Sequence, residues 1–419
     1  MNLSKPQLIH FLNALAFGAV APLLYFMIAL PDSKWIGLLL VVDSAGRILG
    51  LPLHKQCSRK LGAKPVLIGS QLINVLGYAL ICLVGVHRLP PPTTDNAGIV
   101  IPPPGEHLAF AIIYCARFLG AIASAGLPAV RFVSPEAGES PGCRERFLSQ
   151  IGFALGCLLT SAIGNYHFLP HSILQTGGFL VPGTIAVGIS LISVGIGFPG
   201  AFGSEPAPRQ QLPVPATHLQ RLFAMGILLA CEFAFGMILC TLPLTDREIC
   251  SFSPTMTALY FAFVLIISVG VAKFTQRRSK LSIPLNLGIV FCAIGFAGFA
   301  TALWLSWRFE ATNGSAIAFW VMWAAAVPTA IGHGLLRAAL PRVRDKLSGA
   351  MGLDLFFVAV SAIAAIFNAS IWAAHERSSL ALAAAIMIAA LPLAVVISIF
   401  EARKNSEKKS QPELTRQSA

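Results

Sequence analysis

Four ionisable residues lie deep inside apolar stretches of this sequence: Asp43, Arg47, Arg117 and Glu232. At the centre of a bilayer, each such residue costs about 2.5–3.5 kcal/mol on the mildest scale. A chain of ordinary stability, about 5–15 kcal/mol, retains four of them only where they meet water, a partner charge or a solute. We therefore predict that they face the interior of a helix bundle.

Asp43 and Arg47 are four residues apart, with the acid first, which places them on one helical face in the favourable order. One interpretation is a packing pair in which the two charges neutralise each other. The other is that Arg47 or Arg117 binds an anionic substrate group or gates a proton, with Asp43 as the exchanging partner. A planar guanidinium matches a carboxylate or phosphate.

Glu232, in the stretch LLACEFAFG, has no Lys or Arg within four residues. Because loss of hydration favours the neutral form of a carboxyl group, Glu232 is a candidate proton carrier. The alternative is a protonated Glu232 that is hydrogen-bonded to another helix. His333, in IGHGLLR, lies deep enough in its apolar run to line the same cavity and bind substrate, or else packs as a polar residue between helices.

The elements that must position these residues are helices. The chain is 56% hydrophobic and 11% charged, against about 25% charged in a soluble protein. A run of about 20 apolar residues crosses a bilayer as a helix, because its backbone groups must be satisfied within the segment. We predict an all-α integral membrane protein with twelve transmembrane helices, at 9–30, 35–54, 66–86, 108–130, 147–165, 173–197, 220–243, 254–273, 283–306, 316–337, 350–373 and 379–400.

The basic residues orient these spans. If the N-terminus is cytoplasmic, 23 of the 30 Lys and Arg fall in inside segments and five fall in outside loops, while Arg47 and Arg117 lie within spans. This bias follows the positive-inside rule and supports an even number of spans with both termini in the cytoplasm. It also accounts for the net charge of +12 without a nucleic-acid partner. We predict a multi-pass protein of the cell membrane, in the bacterial inner membrane.

A segment rich in Pro, Gly and Ala, residues 198–219, divides the spans six and six. We predict an N-terminal six-helix bundle at 1–197, a cytoplasmic linker at 198–219, a C-terminal bundle at 220–400 and a disordered cytoplasmic tail at 401–419. The halves echo each other in their basic turns, Lys55–Lys64 after span 2 and Lys273–Lys280 after span 8. The proline-rich loop 87–107 is predicted to form an extended lid.

The twelve-span layout and the basic turn after span 2 resemble the major facilitator superfamily. That family has a loop signature, roughly G-x-x-x-D-R-x-G-R-R, and Lys60, Gly62 and Lys64 fit it, whereas Arg59 occupies its acidic position. Arg117-Phe-Leu-Gly120 is similar to the family's R-x-x-x-G in span 4, with the glycine one place early. The resemblance implies two six-helix bundles that rock around a central site, and a conformational gate at Arg59, Lys60, Gly62 and Lys64.

Asp354, about one turn into span 11, belongs to the same gate. In the family, the acidic residue of the loop signature faces the start of span 11. Here the acid lies on span 11 instead. We therefore predict an ion pair with its charges exchanged, in which Arg59 or Lys60 contacts Asp354 when the cytoplasmic side is closed. The alternative is that Asp354 only complements the positive end of its helix.

These observations predict a proton-coupled secondary transporter for a small amphipathic or anionic organic solute. Export of a metabolite, siderophore or drug is favoured over uptake. The rivals are a non-transporting sensor of the same fold or an intramembrane enzyme, but neither a clustered nucleophile and base nor an H-E-x-x-H helix occurs. No G-x-x-x-x-G-K-[ST] loop occurs and no C-x-x-C, so we expect no ATP, cofactor, metal or disulfide. The expected partners of a monomeric chain are the solute, protons and the bilayer.

A charge-swap experiment tests the predicted pairing of Asp354 with Arg59 or Lys60. The single variant Asp354→Lys should cripple transport, because it sets like charges against Arg59 and Lys60. Adding Arg59→Asp should partly restore the transport rate measured in vesicles. A double variant that transports no better than the single one would contradict the pairing.

Overall fold

The structure is a computed structural model that describes residues 5–28, 33–86, 93–94, 100–101, 106–126, 143–165, 180–197, 217–248, 254–276, 282–308, 314–345, 356, 359–364, 366–367 and 378–416. Two compact units divide the chain. The first comprises Met1–Arg209 and Leu242–Ile266, and the second comprises Gln210–Thr241 and Ile267–Ala419. The domain limits expected from the sequence, including the 198–219 linker, stay a prediction.

Six helices and one short strand pair occupy the described part of residues 1–197. The helices are α1 (Lys5–Ile28), α2 (Ser33–Leu61), α3 (Ala63–Val86), α4 (Glu106–Ser124), α5 (Cys143–Asn165) and α6 (Leu180–Gly197). Within the loop predicted to be extended, β1 (Thr93–Thr94) pairs antiparallel with β2 (Val100–Ile101).

Five further helices follow along the chain: α7 (His218–Glu248), α8 (Pro254–Gln276), α9 (Ser282–Arg308), α10 (Gly314–Asp345) and α11 (Ser378–Arg416). Helices α1 to α10 coincide with predicted spans 1 to 10, and α11 contains predicted span 12. Of predicted span 11, residues 356, 359–364 and 366–367 are described, as helix. Within the described residues, nine helices are long and apolar enough to cross a membrane, and two shorter apolar segments lie at Gln7–Pro22 and Phe147–Ile163.

Two predicted boundaries are wrong. The basic stretch after span 2 is helix rather than turn as far as Leu61, since Lys, Gln and Arg are good helix formers and cations stabilise a helix C-terminus. The predicted disordered tail continues α11 as helix through Arg416. In both places hydropathy marks where the apolar run ends and does not mark where the helix ends.

Gly62 ends α2. Its φ is +88°, and its N–H donates to the carbonyl oxygen of Ser58 at 3.0 Å. This is the left-handed cap that satisfies a carbonyl at a helix C-terminus and that glycine adopts without steric cost. The turn to α3 therefore needs glycine at this position.

Small residues let two helix pairs of the first unit approach closely. On α2, a Cβ at Gly46 would lie 2.6 Å from the carbonyl oxygen of Phe118 on α4, and a Cβ at Gly50 would lie 2.9 Å from Cα of Ile122. Gly152 and Gly156 of α5 meet the backbone of α1 in the same way. The glycine pairs are thus contacts between helices, as their spacing predicts.

A seam of polar side chains joins α3 to α6. Ser193 donates to the amide oxygen of Gln71 at 3.0 Å, and the amide nitrogen of Asn74 lies 3.5 Å from the hydroxyl of Ser190. All four residues are buried. Buried polar groups need such partners, so the seam fixes the register of the two helices.

In the second unit, α9 packs against α10 and α11. Gly332 of α10 abuts the backbone of Cys292 on α9, and Gly334 abuts the backbone of Ser268 on α8. The fully buried rings of Phe296 and Phe299 lie in the core of this unit. These close contacts hold the middle of α10 between its neighbours.

The glycine contacts give a matched pair of variants. Gly46→Ala should lower the free energy of unfolding by about 1–3 kcal/mol, the usual cost of overpacking a tight contact. Gly69→Ala on α3 should raise it by about 0.5–1 kcal/mol, because a Cβ there meets nothing within 4 Å and alanine favours helix. Thermal unfolding in detergent measures both, and equal shifts would contradict the packing described.

Candidate functional site

Helices α2 and α4 bring Asp43 and Arg117 together near the middle of each helix. A guanidinium nitrogen (Nη2) of Arg117 donates to Oδ1 of Asp43, and Nη2 of Arg47 lies 2.9 Å from Oδ2. Asp43 lies about 15 Å along α2 and Arg117 about 17 Å along α4, at 1.5 Å per residue. One carboxylate is therefore shared by two guanidinium groups at a similar depth in both helices.

The two arginines differ in exposure. The side chains of Arg117 and Asp43 are 9% and 14% exposed, whereas that of Arg47 is 47% exposed. Asp43 and Arg47 form an ion pair, as their spacing on one helical face allows, and Arg117 joins it from another helix. Arg117 is thus the buried cation of the cluster, and Arg47 is its partly exposed cation.

Phe17 of α1 supplies a third contact to the cluster. The guanidinium carbon of Arg117 lies 4.3 Å from the centre of the Phe17 ring. The same ring packs edge-on against Phe153 of α5, with ring centres 5.3 Å apart. A guanidinium over an aromatic face is a stabilising cation–π contact, so α1 helps to hold Arg117 in place.

A small cavity adjoins Arg117 between α3 and α4. Its volume is about 10 Å³, which suits about one water molecule. The residues around it include the polar side chains of Asn74 and Tyr78, and the complete lining is Asn74, Gly77, Tyr78, Ile81, Ala116, Arg117 and Gly120. The buried side of the ion cluster therefore has a polar neighbourhood.

His54 fixes α2 against α4 further along both helices. Its side chain is buried, and its Nε2 lies 3.0 Å from the carbonyl oxygen of Ile122 in the last turn of α4. A carbonyl only accepts, so Nε2 carries the hydrogen. With Gly46 and Gly50, His54 continues the face of α2 that begins at Asp43 and meets α4.

In the second unit, His333 of α10 contacts residues of α7, of α8 and of its own helix. Its Nδ1 lies 2.8 Å from the hydroxyl of Ser268 on α8, and its Nε2 accepts a hydrogen bond from Nε of Arg337 at 3.1 Å. The ring of Phe235 on α7 packs edge-on with its centre 5.2 Å away. This agrees with a polar residue packed between helices, and direct substrate binding by His333 stays a prediction.

Glu232 lies on α7, between Cys231 and Phe233 in the sequence. The side chain is partly buried, beside the fully buried Cys231. Phe233 packs against Phe367 and Phe235 packs against Phe296, each pair with ring centres 5.9 Å apart. The proton-carrying role of Glu232 stays a prediction.

The gate residues of the loop signature lie around the turn that Gly62 makes. Arg59, Lys60 and Lys64 are exposed at this end of α2 and start of α3. Asp354 lies outside the described residues. The pairing of Asp354 with Arg59 or Lys60 therefore stays a prediction.

Several contributors to the two polar sites were not predicted, among them Phe17, Asn74 and Ser268. Asn74 carried a signal, because Gln71 and Asn74 are polar, three residues apart and surrounded by apolar residues, which indicates a buried polar face. Phe17 and Ser268 carried none. Within the part of the chain that the structure describes, no group of three or more His, Cys, Asp and Glu could hold a metal ion.

Comparison with known proteins gives likeness in structure alone. No protein-family model and no curated relative matches the sequence. The structure resembles the nucleoside transporter NupG, with a TM-score of 0.56 and 15% identity over 94% of this chain and 97% of that one. It also resembles a bacterial metal transporter, with a TM-score of 0.56 and 12% identity over 94% of this chain and 96% of that one. The likeness to the proton:xylose symporter XylE of the major facilitator superfamily has a TM-score of 0.54 and 14% identity over 95% of each chain.

This likeness extends over almost the whole of each chain and shows the fold. The predicted architecture of membrane-spanning helices in the major facilitator arrangement is confirmed. All three similar structures are transporters. Their cargoes differ from one another.

The shared carboxylate predicts unequal effects of neutralising the two arginines. Arg117→Gln should destabilise the protein by about 3 kcal/mol, because it removes a buried partner of Asp43, whereas Arg47→Gln should cost less than about 1 kcal/mol because that pair is half exposed. Denaturant or thermal unfolding in detergent provides the measurement.

The double variant Asp43→Asn with Arg117→Gln is the control for this comparison. It should be more stable than the sum of the single effects, since the two residues contact each other. Strict additivity would show that the ion pair does not form in the membrane protein.

Proposed function

Because the chain has the major facilitator fold, we propose that it is a proton-coupled secondary transporter of a small amphipathic or anionic organic solute. The observation that supports this most directly is the cluster of Asp43, Arg47 and Arg117 in the first unit. It combines a fixed cationic anchor, a partly exposed cation and a carboxylate that can exchange a proton.

The cluster has an excess of positive charge. One carboxylate and two guanidinium groups sum to +1, and almost half of the Arg47 side chain is exposed. A charge at this depth is costly against acyl chains. We therefore infer that the surface around Arg47 faces a water-filled cleft during transport, where the missing counter-ion is the solute.

An anionic group fits Arg47 in chemistry and geometry. A guanidinium carries five N–H donors in a planar fork, and the structure shows one of its nitrogens on Asp43. A carboxylate or phosphate of the solute can accept the outward-facing donors in a bidentate pair. Arg117, which is buried, would act by holding Asp43 while the solute contacts Arg47.

Proton binding to Asp43 strengthens anion binding at the same arginines. A protonated Asp43 no longer neutralises either guanidinium, so the cluster attracts an anion more strongly. By linkage, a bound anion raises the proton affinity of Asp43 to the same extent. Solute and proton would therefore cross the membrane in the same direction. We favour export, in which an anion made in the cell leaves with a proton.

Glu232 is the second proposed proton carrier. Its partly buried position among Cys231 and the aromatic residues of α7 suits a carboxyl group that is neutral in one state of the cycle and ionised in another. Arg59, Lys60, Gly62, Lys64 and Asp354 are proposed as the cytoplasmic gate.

The setting of this transporter is proposed from the sequence. The bias of basic residues supports a cytoplasmic position for both termini. We propose a monomer that spans the bacterial inner membrane.

Purified protein in liposomes tests the proton coupling. A panel of short-chain and amphipathic carboxylates is screened for solute-evoked proton movement and for counterflow exchange. Asp43→Asn should abolish the proton movement but retain exchange, because it fixes a neutral side chain beside the arginines, and Glu232→Gln should also abolish the proton movement.

The anion-binding role of Arg47 has its own variant. Arg47→Gln should raise the KM by about 10- to 100-fold, the effect of losing a charged hydrogen bond. Arg308→Gln, which alters an exposed arginine at the end of α9, should leave both measurements unchanged. Wild-type proton movement in Asp43→Asn, or an unchanged KM in Arg47→Gln, would overturn the assignments.

A further inference from the structure

We propose that His333 is a proton-binding site of the second unit, and that Arg337 competes with the proton for the same ring nitrogen. The pairing is a property of the folded chain. Its use in transport rests on the function proposed above, whereas the pairing itself does not.

The hydrogen bonds of His333 define where its proton lies. Nε of Arg337 can only donate, so Nε2 of His333, 3.1 Å away, must accept. In a neutral imidazole the other nitrogen then carries the hydrogen, and Nδ1–H donates to the hydroxyl of Ser268 at 2.8 Å. The contacts thus select the neutral ring with its hydrogen on Nδ1.

Only one lone pair remains for a second proton. It lies on Nε2, where the N–H of Arg337 points. A proton that binds there makes Nε2 a donor, so the bond to Arg337 must break and two cations would then face each other one helical turn apart. Proton binding at His333 and the His333–Arg337 hydrogen bond therefore exclude each other.

The arrangement repeats the plan of the first unit helix by helix. In the first unit, Phe17 on the first helix and Asp43 on the second hold Arg117 on the fourth. In the second unit, Phe235 on α7 and Ser268 on α8 hold His333 on α10.

Each set also has an arginine four residues beyond one member, Arg47 after Asp43 and Arg337 after His333. The repeat places His333 where the first unit has its buried cation. A titratable ring thus stands in the place of a guanidinium whose charge is permanent.

The helices around His333 carry few other ionisable groups that could take over this role. The ionisable residues that lie near Phe235, Ser268 and the α9 contact of Gly332 along these helices are Cys231 and Glu232 on α7, Lys273 on α8 and Cys292 on α9. Ser268 and Phe235, which contact the ring directly, do not titrate near neutral pH. Arg337 is the charged residue in hydrogen-bond contact with the ring.

The competition couples Arg337 to proton binding. Any anion that draws Arg337 away from Nε2 leaves the lone pair free and raises the proton affinity of His333, and the converse holds to the same extent. Arg337 is exposed, so an anion can reach it. The second unit would thereby link an anionic group and a proton with the same sign as the Asp43 cluster does.

Histidine-selective ¹⁵N NMR of the full-length protein in lipid tests this without a substrate. His333→Asn identifies the His333 signals among those of nine histidines. At neutral pH the ring should show hydrogen on Nδ1. In Arg337→Met, which removes donor and charge, the titration midpoint of His333 should move up by about one pH unit, a tenfold gain in proton affinity.

Arg337→Lys is the matched control, since it keeps a cation and N–H donors at the same position. Its midpoint should stay near that of the wild type. Hydrogen on Nε2 at neutral pH, or an Arg337→Met midpoint equal to the wild-type one, would overturn the proposal. Because no solute is added, a chain that transports nothing could still give the expected result, so failure here and failure of the transport function are distinguishable.

Discussion

A carboxylate that serves two guanidinium groups is the interaction on which the first unit depends. Asp43 is largely buried and contacts arginines from two helices, so α2 and α4 must keep one register for the charges to meet. Gly46, Gly50 and His54 secure that register, because each brings α2 directly onto the backbone of α4. Charge pairing and close packing thus require each other.

The two units each hold a basic side chain at the same place on their fourth helix, but the side chain differs. In the first, the buried group on the fourth helix is an arginine, whose charge is permanent at any physiological pH. In the second, it is His333, which lies between the hydroxyl of Ser268 and the guanidinium of Arg337. The first unit therefore has a permanent positive charge at this position, whereas the charge at the same position of the second unit depends on its surroundings.

The helices could be predicted because length and hydropathy alone require them in a bilayer. The Asp43–Arg47 pair could also be predicted, since residues four apart share a helical face. The contact of Arg117 with Asp43 spans 74 residues, and no local pattern shows which spans become neighbours. Phe17 and Ser268 look like ordinary span residues until the helices are packed.

The errors at the ends of α2 and α11 have another physical cause. Hydropathy reports where the chain leaves an apolar solvent, whereas backbone hydrogen bonding continues wherever the residues favour helix. Lys55 to Leu61 are polar for the most part and still helical. The end came at Gly62, a residue whose positive φ closes the helix.

The seam between α3 and α6 has a consequence for biogenesis. Ser193 follows Gln71 by 122 residues, and Ser190 follows Asn74 by 116. During synthesis α3 enters the bilayer long before α6 exists, so its two amides lack these serines while the nascent chain grows. Until α6 arrives, these amides need other hydrogen-bond partners, which water, other early helices or the insertion machinery can supply.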